Sequence, residues 1–451
     1  MQTSFRLSAG ALAIAAALVA TTSADAPLVY AITGAKIVPV AGATIPSGTV
    51  VIRNGLIEAV GASVQAPAEA RVVDGSGLTV YPGLIDMANS TGVDLEVNRQ
   101  QPTTVRTTEE AERWKRSVLL TPAVDAADHV REAPELARMA SAGITSILAV
   151  PPGVAVKGRS ALVNVVGPPD TPALGHVGDY RAGIQVVRTP VALHVEFATI
   201  GGNAYPVSQP GIIAFIRQSL LDAKHQQLVA QKLAKNQGTR PPYDPALDAL
   251  QPALEGKLPV AFEAETAREI SRALAMANEF KLDPMITGAR EADQVADELK
   301  SRNARVIYNV NYPTRSRALA PDADESASVL RARANAPRVP GALEKAGVSF
   351  AFSSTGVQPR DFIRNVGRAV REGLPQEAAL RALTLNAARM AGVENRLGSV
   401  EKGKLANLVV TQGELFDDKM QIKHVFVEGR LLVLDEAPAP QGRGGRGRGG
   451  N

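Results

Sequence analysis

Leu78-Thr-Val-Tyr-Pro-Gly-Leu-Ile-Asp86 is the stretch in which the chain changes its rhythm. Before it, short β-rich runs (Ala31 to Val40, Thr49 to Arg53, Leu56 to Val60, Ala70 to Val73) alternate with Gly, Pro and Asn-Gly turns, and Asn54-Gly55 between two such runs is a strong hairpin signal. After it, apolar strands alternate with amphipathic helices. The strand candidates are Pro82 to Asp86, Ile144 to Val150, Ala161 to Val166, Val191 to Phe197, Val260 to Phe262, Pro284 to Thr287, Val306 to Asn311 and Val348 to Phe352. Helical stretches such as Gly211 to Ala234, Glu265 to Phe280, Glu291 to Arg302 and Arg360 to Glu372 lie between them. This alternation predicts an α/β fold, a TIM-type (β/α)8 barrel of parallel strands with the helices outside. Past Arg396 the hairpins return (Leu405 to Thr411, Ile422 to Glu428, Arg430 to Leu434). The expected division is therefore a barrel over 81–395 and a small composite β-sandwich built from 25–80 and 396–436.

The composition of the 451 residues, with no cysteine, 45% hydrophobic and 21% charged, excludes a disulfide scaffold, a thiol-ligated zinc module and a disordered chain. The formal charge of +4 resides at the ends, on Arg6, Arg443, Arg446 and Arg448, so the body is neutral and nothing points to a nucleic-acid-binding core. Residues 1–24 carry Arg6, an apolar run from Ala9 to Ala20 and small residues up to Ala24, the pattern of a cleaved secretory signal peptide. That run is too short for a membrane anchor, which needs about 20 apolar residues. The expectation is a secreted or periplasmic protein with no anchor after cleavage. Residues 437–451 are rich in Arg and Gly and are expected to form a disordered cationic tail, solubilising or weakly surface-adsorbing, with polyanion binding as the rival reading.

Three segments carry a family resemblance. The first is Val73-Asp-Gly-Ser-Gly-Leu-Thr-Val-Tyr-Pro-Gly-Leu-Ile-Asp86. The second is Ala204-Tyr-Pro-Val-Ser-Gln-Pro-Gly211 with Ile213-Ala-Phe-Ile-Arg-Gln-Ser-Leu-Leu-Asp222. The third is Leu383-Thr-Leu-Asn-Ala-Ala-Arg-Met-Ala-Gly392 with Leu397-Gly-Ser-Val-Glu-Lys-Gly-Lys-Leu-Ala-Asn-Leu-Val-Val410. Together they resemble the amidohydrolase superfamily, in particular its imidazolonepropionase-like branch. The resemblance implies hydrolysis of non-peptide carbon–nitrogen bonds with one or two divalent metals at the C-terminal mouth of a barrel, where the metal activates a water and polarises the carbonyl.

The same resemblance marks positions at which that chemistry is not represented. The His-x-His pair expected after strand one falls on Ala88 and Ser90, in Met87-Ala-Asn-Ser90. On strand five, Leu258-Pro-Val-Ala-Phe-Glu-Ala264 puts Glu263 in place of a histidine. On strand six, Ile286-Thr-Gly-Ala-Arg-Glu-Ala292 puts Gly288, to within one residue, at a ligand position. On strand eight, Phe350-Ala-Phe-Ser-Ser-Thr-Gly356 puts Thr355 where an acid would carry the proton, which threonine does not do as a carboxylate does.

Of the five histidines, His129 and His225 lie in polar helical contexts, His424 in a terminal strand and His176 in a glycine-flanked loop. His194 differs: in Leu193-His-Val-Glu-Phe197 it shares a strand face with Glu196, and the two would either join Glu263 in a reduced metal site or fill a barrel layer as a buried pair. Asn309 and Asn311 are likewise two residues apart and would line a pocket or end a strand. No nucleophile elbow, phosphate loop or dinucleotide fingerprint occurs, and Ser353 and Ser354 have no histidine near them in sequence. The leading expectation is a catalytically impaired family member that binds a small-molecule ligand or serves as a partner subunit, as a homo-oligomer or beside an active relative. No cofactor is expected on this reading. Its rival is an active C–N hydrolase holding zinc or another divalent metal near His194, Glu196 and Glu263.

Overall fold

A computed structural model describes residues 29–165, 179–181, 183–202, 204–237, 239, 242–320, 322–432 and 434. The expected signal peptide, His176 and the Arg/Gly tail lie outside the described residues. Five strands come first: β1 Val29–Ile37, β2 Ile45–Arg53, β3 Leu56–Gly61, β4 Arg71–Asp74 and β5 Leu78–Pro82. Asn54 and Gly55 take φ of 49° and 82°, the two left-handed positions of a tight hairpin joining β2 to β3. The first half of β1 pairs in parallel with β4 and its second half with β5, so the sheet branches at β1.

Gly83 turns the chain from this sheet into the barrel. A side chain there would begin 2.1 Å from the Thr145 hydroxyl, so only glycine permits the close passage. The next strands are β6 Leu84–Asn89, β7 Ile144–Ala149, β8 Val156–Arg159, β9 Ala161–Asn164, β10 Asp179–Arg181, β11 Ile184–Arg188, β12 Leu193–Glu196, β13 Val260–Ala264, β14 Pro284–Gly288, β15 Arg305–Asn309 and β16 Phe350–Ser353. β6 and β7 are parallel, as are β12 to β16 in order. Helices such as Ala267–Phe280 follow the strands. That helix starts at a capping box between Thr266 and Glu269 and buries Ile270, Ala273, Leu274 and Ala277, spaced as one helical face.

The third stave of the ring departs from the expected parallel run. β9 pairs antiparallel with β7, and β8 pairs antiparallel with β12. The reason is chain length: only residues 150–155 separate β7 from β8, whereas a parallel return needs a crossover of about a dozen residues or more. Ser160 alone joins β8 to β9, so this bent stave links the two halves of the ring. One apolar side chain from each stave (Ile85, Leu148, Leu162, Ala192, Ala261, Met285, Ile307, Ala351) enters a single buried cluster inside it. Between β6 and β16 the link is a side chain: the fully buried Asp86 accepts hydrogen bonds from the Ser354 amide (2.7 Å) and hydroxyl (2.6 Å).

β17 Leu408–Gln412, β18 Gln421–Val427 and β19 Arg430–Leu431 return to the first sheet, where β17 lies antiparallel to β5 from Leu408 beside Pro82 to Gln412 beside Leu78. N- and C-terminal strands thus form one hydrogen-bonded sheet. Asn407 ties it to the barrel. Its amide donates to Asn164 (2.8 Å) and Ser146 (3.2 Å), and its carbonyl accepts from the Glu428 backbone (2.8 Å). Among the described residues no helix is long and apolar enough to cross a membrane. Replacing Asn407 with Ala strands several buried polar groups at once, and thermal or urea unfolding should register a loss of about 2–4 kcal/mol.

Candidate functional site

The inward faces of the strands generate the site by their two-residue period. Two positions beyond the interior residues Ala192, Ala261, Met285, Ile307 and Ala351 stand His194, Glu263, Thr287, Asn309 and Ser353, all lining one cleft of about 320 Å³ at the strands' C-terminal ends. Ala88, Ser90, Glu196, Gly288 and Thr355 line the same cleft. The positions singled out in the sequence therefore converge, with one exception. Asn311 is not part of the lining; its backbone N–H donates to the Asn309 side chain at 2.9 Å, a local turn at the end of β15. His129, His225 and His424 also lie outside the lining.

Among the lining residues that sequence reasoning missed is Lys157. His194 pairs with Gly158 and Val195 with Val156, leaving Lys157 as the extra residue of a β-bulge in β8. Gly158 makes the bulge possible: its φ is +119°, and a Cβ would lie 2.6 Å from the Val124 carbonyl oxygen. The bulge turns Lys157 into the cleft, where its ammonium lies 2.8 Å from Glu196 and 2.6 Å from Glu263. These two glutamates are register partners on β12 and β13. Burial pulls the Lys157 pKa down, but the charges of Glu263 and Glu196 outweigh it and hold the ammonium above the ordinary lysine value. A Lys-Gly pair inside an apolar run was the available signal.

His194 is buried, with 4% of its surface exposed, and its Nε2 has no hydrogen-bond partner. Burial, helped by the Lys157 charge, pushes its pKa down to about 3, so the ring is neutral at physiological pH.

The other substituted positions are filled or tied off. A side chain starting at Gly288 would meet the Glu265 carboxylate at 2.9 Å, so that carboxylate occupies the space the expected ligand would need. Thr287, one residue away, also lines the cleft. Burial raises the Glu265 pKa, Arg290 opposes this, and the neighbouring Glu263 charge adds to it. At the end of β6 a bulge between Asp86 and Asn89 leaves Ala88 in the left-handed region, with φ of 68°. Its carbonyl accepts hydrogen bonds from the hydroxyls of Ser353 (3.0 Å) and Thr355. Below this turn, burial raises the Asp86 pKa to about 6 against the lowering effect of the hydrogen bonds from Ser354 and Asn89.

These donors do not fit a divalent metal. Among the described residues no three His, Asp or Glu side chains are gathered closely enough to hold one, and the Glu196 and Glu263 carboxylates face an ammonium instead. What remains is a polar cleft with carboxylates on β12 and β13, one paired lysine and a neutral histidine, suited to holding a small polar molecule.

Residues 264–432 match the sequence profile of the amidohydrolase family. Over that stretch the chain is similar to amidohydrolase family domains. A solved amidohydrolase from Thermotoga maritima MSB8 superposes with a TM-score of 0.71 at 22% identity, over 90% of this chain and 100% of that one. A prolidase complexed with N-methylphosphonate-L-proline gives a TM-score of 0.53 at 17% identity, again over 90% and 100%. At such identities the likeness is one of fold. Adenine deaminase 3 of Rhizobium meliloti (strain 1021) is 33% identical over 101 residues, 18% of this chain, and the match spans 16% of that relative's length. The structural neighbours thus agree with a mixed α/β barrel fold carrying an extra β-rich domain.

The neutral His194 has a measurable consequence. Below pH 6.5 the unfolded chain takes up a proton that the folded chain refuses down to about pH 3, so the stability present above this window is lost as the pH falls through it. Relative to His194→Gln, the wild-type chain should lose about 2 kcal/mol of unfolding free energy between pH 7 and pH 5. Urea titrations of both proteins across that range measure the difference, and parallel pH profiles would contradict it.

Proposed function

We propose that this chain is an exported member of the amidohydrolase family that binds a small polar ligand in the barrel mouth without efficient hydrolysis, on its own or as a partner subunit. The observation that carries the reading is Thr355. Where the resemblance implies a proton-carrying acid, a hydroxyl is engaged with the Ala88 carbonyl, and threonine has no accessible carboxylate chemistry to replace it. Ala88 and Gly288 support the same reading, since neither side chain offers a metal donor. Export rests on residues 1–24, and N-terminal sequencing of the protein from its producing cell tests it by looking for cleavage after Ala24.

A second reading is favoured by the adenine deaminase match and by the unpartnered His194: an active C–N hydrolase with a non-standard site at His194, Glu196 and Glu263. Tag-free mature protein assayed on adenine, N-acyl amino acids, dipeptides and cyclic ureides, with elemental analysis of the same sample, separates the two. The proposal expects no turnover above buffer and only trace metal. Near-stoichiometric zinc with turnover abolished by His194→Ala would establish the second reading in its place.

A further inference from the structure

The connection after β6 is far longer than a strand-to-helix turn needs. From Ser90 to Thr107 the chain forms no helix and no strand, only an isolated bridge between Val93 and Val130. A connection of that length without structure of its own is uncommon in a compact domain and points to a lid or a binding loop. Both of its ends are fixed. At one, the Val93 bridge is joined by the Asp94 amide, which donates to the His129 carbonyl at 2.8 Å. At the other, Thr107 and Glu110 form the capping box that starts the helix Thr108–Leu119. Between them residues 98–104 are all exposed. Among the described residues, 95–105 make one hydrogen bond outside their own segment: Arg99 donates to the Gly153 carbonyl at 3.1 Å. Arg99 and Gly153 both line the cleft, so this bond lies at the mouth itself.

The helix at the far end is held by a buried cation. Lys115 is fully buried, and its ammonium donates to the carbonyls of Ala204 and Pro206, the latter at 3.1 Å. Among the described residues no carboxylate pairs with it. A buried ammonium without a counter-ion costs stability, and what it adds over an apolar side chain is direction. Here it pins the connection that follows β12 to the helix that follows β6. Gln101, two residues past Arg99, stands over the same connection: a Cβ at Gly202 would lie 3.6 Å from its side-chain oxygen and 3.6 Å from the Lys115 Cε. We propose that residues 95–106 are a lid over this cleft, latched by Arg99 on Gly153, with the helix that Lys115 holds as its fixed end. Charge favours the closed form. Glu196, Glu263 and Glu265 face Lys157 and, beside Glu265, Arg290, so the Arg99 guanidinium supplies the remaining positive charge when the lid is down. A segment tied by one hydrogen bond opens readily, and ligand enters and leaves by that opening.

The lid rests on the reading of the mouth as a ligand cleft, but its test needs neither ligand nor turnover. The chain has no cysteine, so Thr287→Cys places a lone thiol in the cleft wall, and Ser353→Cys does the same if that variant does not fold. The thiol is reacted with methyl methanethiosulfonate, which is small, and with N-(1-pyrenyl)maleimide, which is bulky. Both reagents are neutral, and the ratio of the two rates cancels any change in the thiol's ionisation. Added to the reporter protein, Arg99→Ala and the bulk-retaining Arg99→Met are each expected to raise the bulky-to-small ratio at least about fivefold, the shift that loss of one hydrogen bond produces. Trp114, the chain's one tryptophan, sits beside Lys115 and should keep its emission maximum, because the helix stays in place. An unchanged ratio in both variants overturns the lid. A rise in Arg99→Ala alone also overturns it, since side-chain bulk would then be the whole barrier. A rise accompanied by a red shift of Trp114 overturns the fixed end, because the helix would be leaving with the segment. Turnover by the wild type would overturn the function proposed above, while the labelling ratios would still decide the lid.

Discussion

Residues 150–155 are too few to carry the chain across the outside of a barrel, and much of the site's character follows from that constraint. The third stave has to return antiparallel, so it pairs backwards with both β7 and β12. An antiparallel ladder can absorb an extra residue as a bulge, and here the extra residue is Lys157. A parallel third stave would need a long crossover before it, and its pairing with β12 would not have this register. The cation in the cleft is thus a product of local topology.

Charge in the mouth is organised around that ammonium. Glu196 and Glu263 come from adjacent strands and would repel each other across a half-buried space; Lys157 makes their pairing tolerable. Its charge also helps keep His194 neutral, although burial is the larger cause. Glu265 sits beside them in the room left by Gly288 and is balanced by Arg290, 3.5 Å away. The barrel mouth is therefore a nearly compensated set of charges, with acceptors and donors mostly committed to one another.

Two buried polar anchors bear on the same site, one tying the small β domain to the barrel and one within the barrel. Asn407 joins the returning C-terminal segment to β7 and β9 beneath the cleft. Asp86, just past the Gly83 turn, holds Ser354 so that the end of β16 meets the end of β6. Both anchors are buried and satisfied, which gives them directional value that apolar packing alone lacks. Asn407 ties the sheet made from both ends of the chain to the barrel, and Asp86 fixes the edge of the mouth that carries Ala88 and Thr355.

The chain's periodicities determined the strand–helix alternation, the Asn54-Gly55 hairpin and the inward parity that puts His194 with Glu196 and places Glu263, Asn309 and Thr355 at the mouth. Those are local properties, fixed by the two-residue period of a strand and by turn residues that few conformations accept. Asn311 shows the limit of parity, because the strand ends before it and its backbone serves the turn at Asn309. Tertiary structure alone decided the reversal of the third stave, the arrival of Lys157 between Glu196 and Glu263, the occupation of the Gly288 space by Glu265 and the engagement of Thr355 with Ala88. Each of these is either a contact between distant parts of the sequence or a choice of register between neighbouring strands. Register is set by loop length and bulges, which hydrophobic patterning does not encode.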